Sequence, residues 1–138
     1  MPPRALFADS FYWIALIFPR DASHLAVLAF SRALGATTLF TTDEVLGEVL
    51  NHFAAYGPFW RDKAAALTHY VRSHPQVNVF PQTRADFDAA LALYEERSDK
   101  EYSLTDCRSM VALTSLGISE VLTGDHHFEQ EGFTILFP

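Results

Sequence analysis

Four segments of the sequence carry an acidic residue at a position where a carboxylate could do chemistry. Asp9 and Asp125 follow short apolar runs, whereas Glu48 and Asp106 lie in segments whose apolar residues have helical spacing. Carboxylates brought close together repel one another unless a cation lies between them. A site built from oxygen ligands favours Mg²⁺ or Mn²⁺ over zinc.

Taken singly, three of these carboxylates also have a structural interpretation. An Asp after a strand is usually a turn residue or a helix N-cap, although Ser10 could cap the following helix in place of Asp9. In "YSLTDCRSMVAL", Ser103 is a candidate N-cap, which puts Asp106 at the third helical position. The helix dipole stabilises a carboxylate there and keeps it ionised, as a metal ligand must be.

The segment "TTDEVLGEVLNHF" contains two glutamates with different expected roles. Thr41 and Glu44 have the spacing of a capping box, which would give Glu44 a structural role. Glu48 falls beside the edge of the apolar stripe, where a carboxylate needs a partner. The stripe consists of Val45, Leu46, Val49, Leu50 and Phe53. We therefore favour Glu48 for the site and keep Glu44 as the alternative.

Histidine and cysteine give little support to a zinc site. His126 and His127 are adjacent, so they would not point at one metal from a helix or strand, and we expect a surface or loop pair. The single Cys107 excludes an intramolecular disulfide and a cysteine zinc cage, and its apolar helix predicts a core position. Phe128 is expected to pack under the sheet edge.

Composition and charge limit the classes of function. The 138 residues are 49% hydrophobic and 20% charged, which predicts one folded domain spanning 1–138. The formal net charge of −7 argues against a simple nucleic-acid coat protein, but less so against an enzyme whose acidic site holds cations. Asp9 interrupts the apolar run Ala5–Phe18, which argues against a signal peptide. No stretch reaches the roughly 18 apolar residues that a membrane span needs, so we expect a soluble, cytoplasmic protein.

Short apolar strands alternate with amphipathic helices along the chain. The predicted strands are Arg4–Ala8, Thr37–Thr41, Val77–Phe80, Glu120–Thr123 and Phe133–Phe137. The predicted helices are Ser10–Phe18, Asp21–Leu34, Thr42–Tyr56, Phe59–Ser73, Thr83–Arg97 and Ser103–Leu116, with a turn or short helix from His126. This alternation predicts a parallel sheet in a three-layer α/β/α sandwich. Ligands of such folds bind at the carboxyl ends of the strands, where Asp9 and Asp125 would emerge together.

Read in order, the acidic segments resemble the motifs of the PIN domain family, and in particular the toxin ribonucleases of VapBC-type toxin–antitoxin pairs. "ALFADSFYWIAL" is similar to the opening strand and first acidic motif, and "DASHLAV" to the start of the second helix. "LFTTDEVLGEVLNHF" and "YSLTDCRSMV" resemble the second and third motifs, with Glu48 and Asp106 in the acidic positions. "VLTGDHHFEQEGFTIL" resembles the closing motif, with Asp125 as the fourth carboxylate.

The resemblance implies an endoribonuclease that depends on Mg²⁺ or Mn²⁺. The implied catalytic and metal-binding residues are Asp9, Glu48, Asp106 and Asp125. Ser10 and Thr123 are implied to hydrogen-bond these ligands. The resemblance further implies an RNA substrate, a small cognate antitoxin and a homodimer.

The surfaces for RNA and partners are less well defined by the sequence. Arginine and lysine are sparse near the motifs, and the candidates for RNA contact are Arg20, Arg61, Lys63 and Arg72. Partner surfaces could use aromatic residues of the N-terminal half, of which we expect at least half to be core. These aromatics are Phe11, Tyr12, Trp13, Phe53, Phe59 and Trp60.

Two alternatives belong to other functional classes. A receiver-like signalling domain also places an Asp after a strand, but it would need paired acids there and a Lys after its last strand. Here Asp9 stands alone after the first strand, and the sequence has no Lys beyond Lys100. A catalytically inactive PIN-like module that binds a partner would not need to bind Mg²⁺ or Mn²⁺.

Overall fold

A computed structural model describes residues 4–138 of the chain. Its strands, β1 to β5 in chain order, are Ala5–Ala8, Thr38–Thr42, Val77–Phe80, Glu120–Leu122 and Thr134–Ile135. Its helices, α1 to α7, are Ser10–Ile17, His24–Arg32, Asp43–Phe53, Pro58–Ser73, Arg84–Glu96, Leu104–Leu116 and His126–Gln130. The predicted order of elements is confirmed.

The strands form one parallel sheet in the order β3-β2-β1-β4-β5. In the central strand, Leu6, Phe7 and Ala8 are all fully buried, as expected for a strand covered on both faces. The predicted three-layer α/β/α architecture is confirmed. That the whole of 1–138 is one domain stays a prediction, and residues 1–3 lie outside the described part.

The register of the sheet determines what emerges at its carboxyl edge. Ala8 of β1 pairs with Leu122 of β4, so the next residues, Asp9 and Thr123, come out side by side. On the other flank of β1, Phe7 pairs with Phe40 of β2, which runs directly into α3. The sheet therefore directs the chain segments that carry the first, second and fourth carboxylates toward one edge.

The predicted capping box between Thr41 and Glu44 is wrong. The N-cap of α3 is Thr42, whose Oγ1 accepts a hydrogen bond from the amide of Val45 at 3.1 Å. Thr41 is still part of the strand and fully buried. Its hydroxyl donates to the carbonyl of Ala8 at 2.9 Å and accepts from the indole of Trp13 at 3.4 Å, so it contacts β1 and α1 and does not cap α3.

Three predicted elements are shorter than expected by three residues or more, and one of them is α3, which ends at Phe53 rather than at Tyr56. The second helix begins at His24 because the carboxylate of Asp21 accepts a bond from the amide of Ser23 at 2.8 Å and forms a turn there. The last strand is limited to Thr134–Ile135, which pair with Glu120 and Val121 of β4. Across residues 4–138 we find no helix long and apolar enough to cross a membrane.

Candidate active site

Asp9 is the most deeply buried of the four predicted carboxylates, with 5% of its surface exposed. It occupies the N-cap position of α1, but its side chain does not cap that helix in the described structure. The alternative that Ser10 caps this helix is not observed, because Ser10 is already the first helical residue. Instead the hydroxyl of Thr123 donates to Asp9 Oδ2 at 2.9 Å.

Burial raises the pKa of Asp9 to about 7, and the negative charges of Glu48 and Asp106 add to this effect. The hydrogen bonds from Thr123 and from the amide of Ser10 oppose the rise in pKa. A carboxylate in such a setting takes up a proton unless positive charge is brought to it.

Asp125 is joined to Asp9 through the same threonine. The Asp125 amide donates to Thr123 Oγ1 at 3.1 Å, so one hydroxyl contacts both carboxylate-bearing residues. Asp125 is the N-cap of α7, and its Oδ1 accepts a bond from the amide of His127 at 2.9 Å. Phe128 is fully buried behind this turn, as predicted.

Asp106 lies at the third position of α6, as predicted from its distance to the N-cap Ser103. The two residues form a reciprocal capping box: the amide of Asp106 donates to Ser103 Oγ at 3.0 Å, and the amide of Ser103 donates to Asp106 Oδ2 at 3.1 Å. Burial raises the pKa of Asp106, and the charge of Asp125 raises it further. The predicted core position of Cys107 is confirmed.

Glu48 completes the cluster and Glu44 does not. Burial raises the pKa of Glu48, the hydroxyl of Ser10 lowers it, and the charges of Asp106 and Asp125 raise it. Glu44 accepts a 2.8 Å bond from Nε of Arg108, whose side chain is only 5% exposed. The structure thus brings together all four favoured acidic residues and gives Glu44 a separate ion pair.

His127 is a residue at this site that sequence reasoning missed. Its Nδ1 lies 3.4 Å from Asp106 Oδ2 and 3.3 Å from Asp125 Oδ1. The prediction of a surface or loop pair holds for His126, whose side chain is 68% exposed, but it is wrong for His127. The spacing of Asp125 and His127 is the sequence signal for this contact. An Asp at an N-cap accepts a bond from the amide two residues later, so it keeps His127 close to Asp125.

The donor set fits a divalent cation. Asp106, Asp125 and His127 each present a ligand atom, and these atoms lie within 4.8 Å of one another. Among the described residues, Asp9 and Glu48 do not join this tight group, although their charges act on it. His127 Nδ1 is buried and has no hydrogen-bond partner in residues 4–138. Raised carboxylate pKa values and an unpartnered nitrogen are both relieved by a cation.

His127 packs against a tyrosine that belongs to an ion-pair network. The ring of Tyr102 packs against the imidazole with the centroids 5.6 Å apart. The Tyr102 hydroxyl donates to Glu131 Oε1 at 3.1 Å, and burial together with Glu131 raises the pKa of Tyr102 to about 12. Glu131 is held by two bonds from Arg97, at 3.0 and 2.9 Å.

The four basic residues predicted to contact RNA are all exposed, but three have partners within the chain. Arg61 donates to the carbonyl of Ala54 at 3.0 Å, and Arg72 pairs with Asp43 at 3.0 Å. Lys63 Nζ lies 5.3 Å from the ring centroid of Phe59. The fourth is Arg20, which lies in a turn after α1. Their contact with RNA stays a prediction.

The expectation that at least half of the six aromatic residues are core is confirmed. Tyr12, Trp13 and Phe53 are buried, whereas Phe59 is 61% exposed. Phe11 and Trp60 are partly buried and pack against the core.

Three comparisons relate the chain to known proteins. The family model described as "PIN domain" matches residues 6–133. The structure is similar to VapC20 of Mycobacterium tuberculosis, described as a sarcin-ricin loop cleaving toxin, with a TM-score of 0.83, 23% identity, and 94% of this chain and 96% of that chain covered. It also resembles FitAcB of Neisseria gonorrhoeae, with a TM-score of 0.64, 14% identity, and 94% and 95% covered. The comparison with curated proteins gave no match.

Proposed function

The chain belongs to the PIN domain family, and on that premise we propose that it is a metal-dependent endoribonuclease that hydrolyses RNA phosphodiester bonds. The observation that carries the proposal is the electrostatic coupling of Asp9, Glu48, Asp106 and Asp125 at one edge of the sheet. Burial and mutual repulsion make this cluster costly unless a cation neutralises it. Carboxylates with perturbed pKa values of this kind are concentrated at functional sites.

The proposed roles follow from where each side chain lies. Asp106 and Asp125 would hold the cation, Mg²⁺ or Mn²⁺. Asp9 acts from the buried side, directly or through water. Glu48, which is only half-buried, completes the site as a ligand or by orienting the attacking water. The cation supplies positive charge that lowers the pKa of water and stabilises charge developing on the phosphate.

Ser10 and Thr123 act by holding the carboxylates. The hydroxyl of Thr123 donates to the carboxylate of Asp9 and accepts from the backbone amide of Asp125, so it holds the Asp9 side chain beside the start of the Asp125 turn. The hydroxyl of Ser10 favours the ionised form of Glu48. Partners of this kind orient metal ligands and are important for metal affinity.

The net charge of −7 sets a condition on substrate binding. An acidic protein does not attract RNA over long distances, so encounter with phosphate depends on local basic residues and on the bound cation. We include Arg20, Arg61, Lys63 and Arg72 as candidate contacts because all four are exposed.

We further propose that the protein is the toxin of a type II toxin–antitoxin pair, cytoplasmic, homodimeric and inhibited by a small antitoxin. The support is the fold shared with VapC20, a protein described as a sarcin-ricin loop cleaving toxin. Two observations would test the assignment as a toxin. One is a reading frame for a small DNA-binding protein beside the gene, and the other is rescue of growth arrest when that protein is co-expressed.

A cleavage assay tests the enzymatic proposal. Purified protein is incubated with ribosomal RNA and with total RNA in Mg²⁺, in Mn²⁺ and in excess EDTA, alongside Asp106→Asn. We expect discrete cleavage that needs the metal and is lost in the variant. Metal binding without cleavage would favour a module that only binds a partner, and cleavage that persists in EDTA would contradict the metal centre.

A further inference from the structure

The imidazole of His127 faces two carboxylates with an unpartnered nitrogen. The Nδ1 atom is shielded from solvent although 30% of the side chain is exposed, and within the described part of the chain it lies at ion-pair distance from two carboxylates without a well-directed hydrogen bond to either. The oxygens nearest to it, at 3.3 and 3.4 Å, belong to Asp125 and Asp106. A buried polar atom without a hydrogen bond is costly and calls for an explanation.

The spacing of these three atoms suits a shared ion. Two ligand atoms that bind one cation at about 2.1–2.2 Å in neighbouring octahedral positions are about 3.0 Å apart. The distances from His127 Nδ1 to Asp125 Oδ1 and Asp106 Oδ2, 3.3 and 3.4 Å, are a few tenths of an ångström longer. The carboxylate oxygens of Asp106 and Asp125 lie within 4.8 Å of one another, so side-chain movements would bring all three atoms onto one ion.

His127 is also held in place independently of any ion. Its backbone amide donates to Asp125 Oδ1 at 2.9 Å, which fixes the start of α7. Its ring rests on Tyr102, which is anchored through Glu131 to Arg97. Ligands held by packing and hydrogen bonds lose little freedom on binding, so the geometry is prepared for coordination.

We propose that His127 Nδ1 joins Asp106 and Asp125 as a metal ligand, and that this site therefore prefers Mn²⁺ to Mg²⁺. The inference rests on the proposed function because it concerns the same centre. Mg²⁺ strongly favours oxygen ligands and gives them up reluctantly. Affinity for nitrogen donors rises from Mn²⁺ along the first transition row, so an imidazole shifts selectivity away from Mg²⁺.

Pulsed electron paramagnetic resonance on the Mn²⁺-loaded protein tests ligation directly, because a bound imidazole gives a ¹⁴N coupling. The matched control is His126→Gln, since His126 is adjacent, exposed and in contact with Glu129. We expect the coupling in the wild type and in His126→Gln, and its loss in His127→Gln. Calorimetry is expected to show the Mn²⁺ Kd rising about tenfold or more in His127→Gln, with a smaller change for Mg²⁺.

A second variant separates ligation from folding. His127→Asn offers an amide oxygen near the position of Nδ1, so Mn²⁺ should still bind without the ¹⁴N coupling, and the Mn²⁺ over Mg²⁺ preference should fall. Mn²⁺ binding to the wild type without ¹⁴N coupling would overturn His127 as a ligand while leaving the carboxylate centre intact. Failure of the wild type to bind either ion would contradict the proposed function as well.

Discussion

The hydroxyl of Thr123 donates a 2.9 Å hydrogen bond to Oδ2 of Asp9, a residue 114 positions earlier in the sequence. The same oxygen accepts a bond from the amide of Asp125. The contact exists because β1 and β4 are neighbours in the sheet and Ala8 pairs with Leu122. One side chain thereby contacts the carboxylate of Asp9 and the backbone of Asp125.

Replacing this hydroxyl is expected to damage the site more than the fold. Thr123→Val keeps the shape but removes one of the two donors to Asp9, leaving the amide of Ser10, and removes the acceptor of the Asp125 amide. We expect the free energy of unfolding to fall by about 1–3 kcal/mol and Mn²⁺ affinity and RNA cleavage to fall about 10-fold or more. Thr123→Ser, which retains the hydroxyl, should behave nearly as the wild type. Equal activity of the Val and Ser variants would exclude a role for the hydroxyl.

Glu48 and Glu44 provide a matched pair on one helix. Glu48→Gln should lower cleavage about 100-fold or more, because the site loses a charged group, with little change in stability. Glu44→Gln should keep cleavage but lower the free energy of unfolding by about 1–3 kcal/mol, because it weakens the pair with buried Arg108. Cleavage rates and urea unfolding of both variants decide the assignment. The reverse pattern would transfer the catalytic role to Glu44.

Gly124 is required by a close approach of the chain. A Cβ at this position would lie 2.8 Å from the carbonyl oxygen of Phe137 and 2.9 Å from the ring of Phe11. Gly124→Ala should therefore shift the neighbouring Asp125, lower cleavage and destabilise the protein by about 1–3 kcal/mol. Gly47→Ala is the control, since nothing lies within 4 Å of its Cβ. There we expect a gain of about 0.5–1 kcal/mol inside a helix. Similar stabilities for the two variants would refute the packing argument.

The metal-free protein is expected to lose stability as the pH rises through the acidic and neutral range. The pKa of Asp9 is raised to about 7, so the folded state holds a proton that the unfolded state releases near pH 4. The free energy of unfolding should then fall by up to about 1.4 kcal/mol for each pH unit between about 4 and about 7. Above about pH 7 the stability that protonated Asp9 contributes is fully lost.

Urea unfolding in EDTA at pH 5 and pH 8 measures this effect, with Asp9→Asn as the control. We expect the variant to show a weaker pH dependence and to be the more stable protein at pH 8. Added Mn²⁺ should stabilise the wild type more at pH 8 than at pH 5. An identical pH dependence in the two proteins would mean that Asp9 does not hold the proton.

The sequence was sufficient to predict the elements that position the site. Buried runs such as Leu6–Ala8 predict a central parallel strand, and the carboxyl edge of that sheet places Asp9 near Asp125 without any knowledge of loops. The position of Asp106 followed from the capping role of Ser103, which is local in sequence. These predictions depend on periodicity and on helix starts, both of which are encoded within a few residues.

What the sequence did not reveal depends on contacts between distant segments. Thr41 and Thr42 have the same side chain, and the difference between them lies in their contacts: Thr41 contacts Ala8 and Trp13, whereas Thr42 accepts from the amide of Val45 and caps α3. Arg108 looks like an ordinary helix residue, but it is buried between Glu44 and Asp86 from two other helices. His127 was missed because its neighbour His126 suggested a surface pair, whereas the turn at Asp125 directs the two side chains to different surroundings.

Analysis of the RNA ends produced by the wild-type protein tests the central claim most directly. Hydrolysis by water at a metal centre predicts linear phosphomonoester ends from the earliest times, with oxygen from ¹⁸O-labelled solvent, and no product in EDTA or with Asp106→Asn. Fragments ending in 2′,3′-cyclic phosphate, formed at the same rate with EDTA as with Mn²⁺, would contradict the account.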